Sequence, residues 1–407
     1  MFSHTVTPTN LNERRVLVIT LAISALLLTT LPSQAKEIVI YNQSSSTAGP
    51  AGDLIADSNG TLYGIADGGG AYGSVYSLTP PATGQTAWTE TVLYSFQGGT
   101  DGIYPIAGLT PDGQGGFFGT TTQGGTGTCP LFFGLSGCGT VYRLTPPAQG
   151  QTAWTETVLY SFQGGTDGNQ PASRLLLEPT TGVLYGITFI GGTYGAGTVF
   201  ALTPPAQGQT NWIETVFHTF TGGSDGGYPF AYLIEDASGA LYGTTTGGGY
   251  LGYGSAFKMT PPAAGQTDWT ETVIHSFGGW GFGDAGSPDA GLVADSSGNL
   301  YSTAVDGGAG GLNNGAVFEL SPPSGGETNW TETILYTFKG GQMAPLPPTT
   351  SSSIGRVQSI VRPMRVAPRT AAPSSSLNHL PLDRLPGLRK FSTASRYRPT
   401  APRPTVD

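Results

Sequence analysis

One phrase, WTETVLYSF, recurs along the chain and constrains the fold more than any other feature. It begins at Trp88, returns unchanged at Trp154, and comes back with small changes at Trp212, Trp269 and Trp330. Successive copies are 57 to 66 residues apart, so the chain holds five units. A period of this size, with strand-like residues in every copy, is typical of a repeat architecture.

Each unit contains four short strand-like runs separated by turn-forming residues. In the fifth unit these runs cover residues 290–295, 299–303, 316–320 and 330–338. Four-stranded units that repeat around an axis form a β-propeller, which closes into a ring and protects its sheet edges. The sequence therefore predicts an all-β, five-bladed propeller, with the first strand of each unit innermost and the tryptophan strand outermost. An open stack is the alternative, and it would leave an end sheet exposed.

The repeats divide the chain into three parts, residues 1–35, 36–340 and 341–407. Glycine is abundant, with 64 residues, but it falls between the strand-like runs and so marks turns. The middle part is the predicted propeller, and its units cover about residues 48–104, 105–170, 171–228, 229–287 and 288–340.

The first part has the features of a secretory signal peptide. Arg14 and Arg15 precede an apolar run over residues 16–31, and small residues lead to a predicted cleavage after Ala35. The alternative is an uncleaved membrane anchor, because the run is only slightly shorter than a membrane span. Cleavage would leave no membrane span in the mature chain and would make the protein secreted or displayed on the cell surface.

The last part differs sharply in composition. Residues 341–407 hold 11 prolines and 10 Lys or Arg against 2 Asp. Such a segment cannot bury enough apolar surface to fold, so a disordered, basic, Pro-rich tail is predicted. Its meaning stays open between a tether to an anionic envelope, an anchor, and a stretch in a non-native reading frame.

The body of the chain is strongly acidic. Residues 36–340 carry 23 Asp or Glu against 5 Lys or Arg. Nucleic-acid binding needs a basic face that neutralises phosphates, so this class of partner is excluded. An acidic body fits an extracellular protein that self-repulsion keeps soluble.

The two cysteines lie close together in a loop that lengthens the second unit. Cys129 and Cys138 predict a local disulfide, because paired cysteines in one loop of an exported protein are usually oxidised. The pinned loop would present Leu131, Phe132 and Phe133 as a binding surface.

The GGxDG turn after the tryptophan strand offers a weak calcium site. Its aspartates could wrap a hard cation with carboxylate and carbonyl oxygens, or could simply cap the turn. These residues are Asp101, Asp167 and Asp225. One glutamate recurs in every tryptophan strand and is predicted to hold neighbouring blades together, at Glu90, Glu156, Glu214, Glu271 and Glu332. His218 and His275 replace a tyrosine of other units and are expected to pack rather than to bind zinc.

Ligand sites are sought where the units differ from one another, since a site needs different groups in different places. One such position lies beside the inner-strand leucine and holds Asp53, Arg174 and Tyr232, which would meet a small ligand or merely plug the central channel. The other lies in the variable loops between the second and third strands, where tyrosines suit sugar stacking: Tyr194, Tyr250 and Tyr253.

The repeated segments LYGTT, GTVFxLTPP, WTETVLYSF and GGxDG also resemble a known family. They are similar to the tandem repeat of the choice-of-anchor GloVer proteins, named for Gloeobacter and Verrucomicrobia, over roughly residues 48–340. The resemblance implies a secreted or surface-displayed bacterial β-propeller with an interchangeable terminal anchor. It implies no established activity, so it assigns no functional residues.

Taken together, these features favour a non-catalytic binding or scaffold module for an extracellular glycan or surface protein. The sequence contains no nucleophile elbow and no phosphate-binding loop, and it calls for no cofactor beyond the weak calcium prediction. Two alternatives stay open, a metal-dependent propeller enzyme of the lactonase or lyase type and a purely structural envelope protein. The oligomeric state is not indicated.

Overall fold

The computed structural model describes residues 50–67, 70–129, 137–311, 313–324 and 329–338. Within these ranges the chain forms five antiparallel sheets, and the strands of each sheet follow one another in sequence order. The prediction of an all-β, five-bladed propeller with four-stranded blades is confirmed. The predicted signal peptide and the predicted tail lie outside the described residues. No helix in the described ranges is long and apolar enough to cross a membrane.

The strands of the five blades have the following bounds. Blade 1 holds β1 (Pro50–Ala56), β2 (Leu62–Ala66), β3 (Ser74–Thr79) and β4 (Thr89–Ser95). Blade 2 holds β5 (Thr110–Pro111), β6 (Phe117–Thr121), β7 (Thr140–Thr145) and β8 (Thr155–Ser161). Blade 3 holds β9 (Leu176–Leu177), β10 (Leu184–Thr188), β11 (Thr198–Thr203) and β12 (Ile213–Thr219).

Blades 4 and 5 differ because their innermost strand is split into two pieces that both pair with the second strand. Blade 4 holds β13 (Gly227–Pro229), β14 (Ile234–Glu235), β15 (Leu241–Gly247), β16 (Ser255–Thr260) and β17 (Thr270–Ser276). Blade 5 holds β18 (Ala285–Pro288), β19 (Val293–Ala294), β20 (Leu300–Gly307), β21 (Ala316–Ser321) and β22 (Thr331–Thr337). Short 3-10 turns cover Gly99–Asp101, Gly165–Asp167, Trp280–Phe282 and Ala309–Gly311.

The hydrophobic core lies between the blades. Each of four clusters combines residues of two consecutive blades, as where Phe162 of blade 2 meets Leu184 and Phe200 of blade 3. The phenylalanine that ends one outer strand makes an edge-to-face contact with an aromatic ring of the next blade's third strand. The four ring pairs have centroids 5.0 to 5.2 Å apart: Phe96–Tyr142, Phe162–Phe200, Phe220–Phe257 and Phe277–Phe318. Burial of these rings together with the aliphatic residues of the clusters stabilises the four junctions.

A contact made by backbone atoms, a proline and a glycine repeats at the same four junctions, and we call it the backbone staple. The residue before a proline has a left-handed backbone at Tyr104, Gln170, Tyr228 and Ser287, with φ between 51° and 59°. This conformation is costly for a residue other than glycine, and it persists where surrounding contacts fix it. Here each N–H donates to a carbonyl of the preceding blade, over 2.7 to 2.9 Å. The following proline then lies against a glycine of that blade, as Pro229 does on Gly197.

Candidate functional site

The predicted axial residues do come together. Asp53, Arg174 and Tyr232 line one small cavity with Gly108 and Gly291, so all five inner strands meet at the axis. The guanidinium carbon of Arg174 lies 4.1 Å from the centre of the Tyr232 ring, which is a close cation–π contact. Burial raises the pKa of Tyr232, and the charge of Arg174 opposes that rise.

These side chains nearly fill the axis. A methyl group added at Gly291 would lie 2.2 Å from the Tyr232 ring, so the ring rests directly on this glycine. The space left over is about 50 Å³. That volume suits one or two water molecules but not a monosaccharide, since ligand pockets usually exceed about 300 Å³. A ligand at the axis would therefore require Arg174 or Tyr232 to move.

One rim of the propeller is built from the loops between second and third strands and from the turns that follow the outer strands. The turns and loops are fixed to each other across the blade junctions. Gly192 N–H donates to the Gly165 carbonyl at 2.7 Å, and Gly249 N–H donates to the Gly223 carbonyl at 2.8 Å. These hydrogen bonds place the variable loops on a rigid base.

On blades 3 to 5 this rim exposes apolar and aromatic side chains. Tyr194 is 64% exposed and Tyr250 is 84% exposed. Phe282, which follows the outer strand of blade 4, is 68% exposed, and Tyr228 and Leu251 are exposed as well. We call these five residues the aromatic rim. Sequence reasoning identified only the two loop tyrosines, because Phe282 lies in a turn that departs from the GGxDG pattern.

Tyr253 has a different role from the other two predicted loop tyrosines. It is half-buried, and a methyl group added at Gly279 would lie 2.7 Å from its ring, so the ring covers the following turn. Tyr72 covers Gly98 in blade 1 in the same way. The ring face of Tyr253 is engaged in packing, and the free tyrosines are Tyr194 and Tyr250.

The predicted disulfide is formed. Cys129 and Cys138 have Cα atoms 5.2 Å apart, and their sulfurs lie over Gly164 of the turn after β8. The disulfide thus occupies in blade 2 the position that tyrosine rings occupy in blades 1 and 4. The predicted surface of Leu131, Phe132 and Phe133 lies outside the described residues.

The GGxDG aspartates cap their turns. Asp101 accepts hydrogen bonds from the Tyr94 hydroxyl at 2.7 Å and from the Gln97 N–H. Asp167 accepts the equivalent pair, and Asp225 accepts the N–H and the hydroxyl of Thr221. Turn hydrogen bonds therefore engage these carboxylates, and calcium binding here stays a prediction.

Each capping aspartate also faces the outer-strand glutamate of the next blade. Burial, and then the charge of Asp101, raises the pKa of Glu156 to about 8. Burial and the charge of Asp167 raise the pKa of Glu214 to about 8. Burial and the charge of Asp225 raise the pKa of Glu271 to about 7. We call these the junction carboxyl pairs. In each pair, burial and the neighbouring aspartate therefore favour the protonated form of the glutamate.

A fourth junction replaces this arrangement with a histidine between two carboxylates. His275 Nε2 lies 3.7 Å from Asp284 Oδ1 and 3.6 Å from Glu332 Oε2. The equivalent histidine one blade earlier, His218, is half-buried, and this burial lowers its pKa. Sequence reasoning treated both histidines as packing residues and did not bring the three side chains together.

A surface groove runs along the outer edge of β8 between blades 2 and 3. It encloses about 490 Å³ and is lined by polar and aromatic side chains, among them Thr126, Tyr160, Asn211 and Trp212. Sequence reasoning missed this groove, because the lining comes from two units and from the loop that the disulfide pins.

Comparison with known proteins identifies the family. The sequence model of the Gloeobacter/Verrucomicrobia repeat matches residues 131–355, more than half of the chain. The chain belongs to this family. The match includes the third and fourth strands of blade 2 and all strands of blades 3 to 5. A search of curated proteins gives no match.

Several solved structures are similar to this Gloeobacter/Verrucomicrobia repeat protein at low identity. A Dyadobacter fermentans protein of unknown function is 12% identical with a TM-score of 0.45, covering 75% of this chain and 87% of that one. An α-L-arabinofuranosidase from Lactobacillus brevis is 11% identical with a TM-score of 0.40, covering 72% and 96%. A Trypanosoma rangeli sialidase in complex with sialic acid is 11% identical with a TM-score of 0.40, covering 71% and 51%. No ligand or activity follows from them for this chain.

Proposed function

We propose that this propeller is an exported, non-catalytic binding module that recognises an extracellular glycan through the aromatic rim of blades 3 to 5. The observation that carries the proposal is the exposure of Tyr194, Tyr250 and Phe282 on one face. Large apolar side chains that are exposed together on one face of a protein are a feature of binding surfaces. Tyrosines add a hydroxyl that can donate to or accept from a sugar hydroxyl.

The loops that carry the aromatic rim are held rigidly, which supports a role of the exposed side chains in ligand binding. Each loop closes through a short parallel bridge, Gly191 with Ala196 and Gly248 with Tyr253. The loops are also hydrogen-bonded to the turns of the preceding blade. Aromatic rings on a fixed base lose little conformational entropy when a ligand stacks on them, which raises affinity.

Export is the second part of the proposal. A disulfide between Cys129 and Cys138 fits an oxidising compartment, because thiols are kept reduced in the bacterial cytosol. The charged flank, apolar run and small residues of the first 35 positions support secretion, with cleavage after Ala35.

The test is glycan binding by the full chain, exported to an oxidising compartment and applied to a glycan array. Hits are then titrated with wild type and with the double variant Tyr194→Ala, Tyr250→Ala. Truncating two central aromatic contacts should weaken binding by about 10- to 30-fold or more. The matched control is Ile213→Ala, since Ile213 is 62% exposed but begins an outer strand at the opposite rim.

Three outcomes decide the proposal. A loss of binding in the double variant with no loss in the control supports recognition by the aromatic rim. Equal binding by all three proteins places the ligand elsewhere, with the groove beside Trp212 as the next surface to vary. If the protein binds no glycan on the array, glycan recognition is rejected. Binding of protein partners to the exposed rim would then be tested.

A metal-dependent enzyme of the lactonase or lyase type is the competing class. Such an enzyme would need a substrate-sized channel, whereas the axial cavity measures about 50 Å³. Hydrolysis of lactone or glycoside substrates that is lost on Arg174→Ala would favour the enzyme over the binding module.

A further inference from the structure

We propose that His275, Asp284 and Glu332 form a binding site for one divalent transition-metal ion of the zinc type at the junction of blades 4 and 5. The three residues come from different elements, which are β17, the turn that follows it, and β22 of the next blade. An ion bound there would cross-link two blades through their outer strands. This inference is independent of glycan recognition at the rim.

The donor atoms are spaced as such an ion requires. One atom from each residue lies within 4.8 Å of the others. The histidine nitrogen is 3.7 Å from the Asp284 oxygen and 3.6 Å from the Glu332 oxygen. Around tetrahedral zinc, with bonds of about 2.0–2.2 Å, neighbouring donors lie about 3.3–3.6 Å apart. The two distances to the histidine nitrogen need only a small contraction to match this spacing.

Backbone groups hold both carboxylates in position. The Gly278 N–H donates to Asp284 Oδ2 at 2.7 Å, and the Ala285 N–H donates to Glu332 Oε1 at 3.1 Å. One oxygen of each carboxylate is fixed in this way, and the other oxygen faces His275. Hydrogen bonds that orient first-shell ligands are the usual support of a metal site.

Two of the three converging atoms are buried without a hydrogen-bond partner. His275 Nε2 and Asp284 Oδ1 are shut off from solvent, and neither has a hydrogen-bond partner among the described residues. The Glu332 side chain is more than nine-tenths buried, and its Oε2 is aimed at the imidazole. Buried polar atoms without partners are costly, and the separations of 3.6 and 3.7 Å are too long for hydrogen bonds. A metal ion would satisfy all three donors at once.

The neighbouring junction shows why the site is specific to blades 4 and 5. His218 occupies the position of His275, but there both oxygens of Asp225 accept hydrogen bonds from Thr221. Blade 4 has Gly278 where blade 3 has Thr221, so Asp284 keeps one oxygen free. His218 therefore provides a matched control.

The experiment measures zinc binding by the full chain, stripped with a chelator, through equilibrium dialysis with elemental analysis. Wild type and His218→Gln should each take up one tightly bound equivalent, which His275→Gln and Asp284→Asn should lose. Cobalt substitution should give the visible absorption bands of a low-coordinate nitrogen and oxygen site in wild type and in His218→Gln. These bands should be absent in His275→Gln and Asp284→Asn. Zinc at about 100 times its dissociation constant should raise the wild-type melting temperature by about 5 °C.

Asp284→Asn separates loss of a metal ligand from loss of the fold. Asparagine keeps the shape of the side chain and can still accept the hydrogen bond from the Gly278 N–H. Circular dichroism shows whether each variant is folded before its metal content is read. The proposal is overturned if folded wild type binds no zinc, if folded Asp284→Asn binds it as wild type does, or if His218→Gln loses the ion equally.

Discussion

Replacing Glu156 by glutamine should remove a pH-dependent weakness from the junction of blades 1 and 2. The glutamate is buried beside Asp101, and its pKa is raised from 4.5 to about 8. The folded protein therefore binds a proton that the unfolded chain releases between these two pH values. The contribution of this bound proton to the free energy of unfolding is fully present below pH 4.5. It is lost as the pH rises towards and through 8.

The magnitude follows from the shift. A rise of about 3.5 in the pKa of one group corresponds to a change of at most about 5 kcal/mol in the free energy of unfolding, at about 1.4 kcal/mol for each unit of pKa. Solvent reaches part of this junction and screens the interaction between the two carboxyl groups. We therefore expect Glu156 to change the free energy of unfolding by about 2 kcal/mol. For a domain of this size, 2 kcal/mol is about 4–6 °C in melting temperature.

The assay is thermal unfolding of the full chain at pH 5 and at pH 9. Glutamine cannot ionise, so Glu156→Gln should be close to wild type at pH 5 and about 4–6 °C more stable at pH 9. Glu319→Gln is the control, because Glu319 lies on β21, away from the junction carboxyl pairs. General repulsion in this acidic body affects both variants and cancels in the comparison.

The reasoning fails if the difference between wild type and Glu156→Gln stays the same from pH 5 to pH 9. It fails equally if the variant becomes the less stable protein at pH 9. The same substitution at Glu214 should act in the same direction, since its pKa is also about 8 beside Asp167.

Three further predictions concern other parts of the fold. Cys129→Ser should cost about 2–3 kcal/mol in urea unfolding, because it opens a short covalent loop; equal stability of wild type with and without reductant would contradict this. Gly197→Ala should cost more than about 2 kcal/mol, since its φ is 100° and the added methyl would lie 2.6 Å from a proline ring of the next blade. Gly195→Ala, with φ 76° and no atom within 4 Å, should cost only about 1 kcal/mol, and equal losses would refute the steric argument. Arg174→Ala should lower the free energy of unfolding by about 1–2 kcal/mol through loss of the contact with Tyr232; an unchanged midpoint would show that this contact is neutral.

The fold was predictable because each blade repeats the same local pattern. The tryptophan phrase, the turn residues and the four alternating runs all lie within one unit, so the sequence shows them directly. The meeting of Asp53, Arg174 and Tyr232 was also predictable, because equivalent positions of inner strands must face the same axis. The disulfide needed only two cysteines nine residues apart.

The blade junctions were not predictable in the same way. Asp101 and Glu156 were each recognised as repeated residues, but they belong to different units and meet only when one blade packs on the next. The available signal was an offset of 46 to 55 residues from each of these aspartates to the next unit's glutamate. The loop tyrosines show a second limit, since packing on Gly279 separates Tyr253 from Tyr250 although both lie in one loop.

The backbone staple bears on how such a chain can gain or lose units during evolution. Because the staple uses a main-chain N–H, a main-chain carbonyl, a proline and a glycine, a duplicated unit would bring both halves of its own connections. The axis is less permissive, since a sixth blade would widen the ring and separate Arg174 from Tyr232. The close axial packing therefore favours five blades, and a relative with more units should carry larger groups at the axis while its junctions stay unchanged.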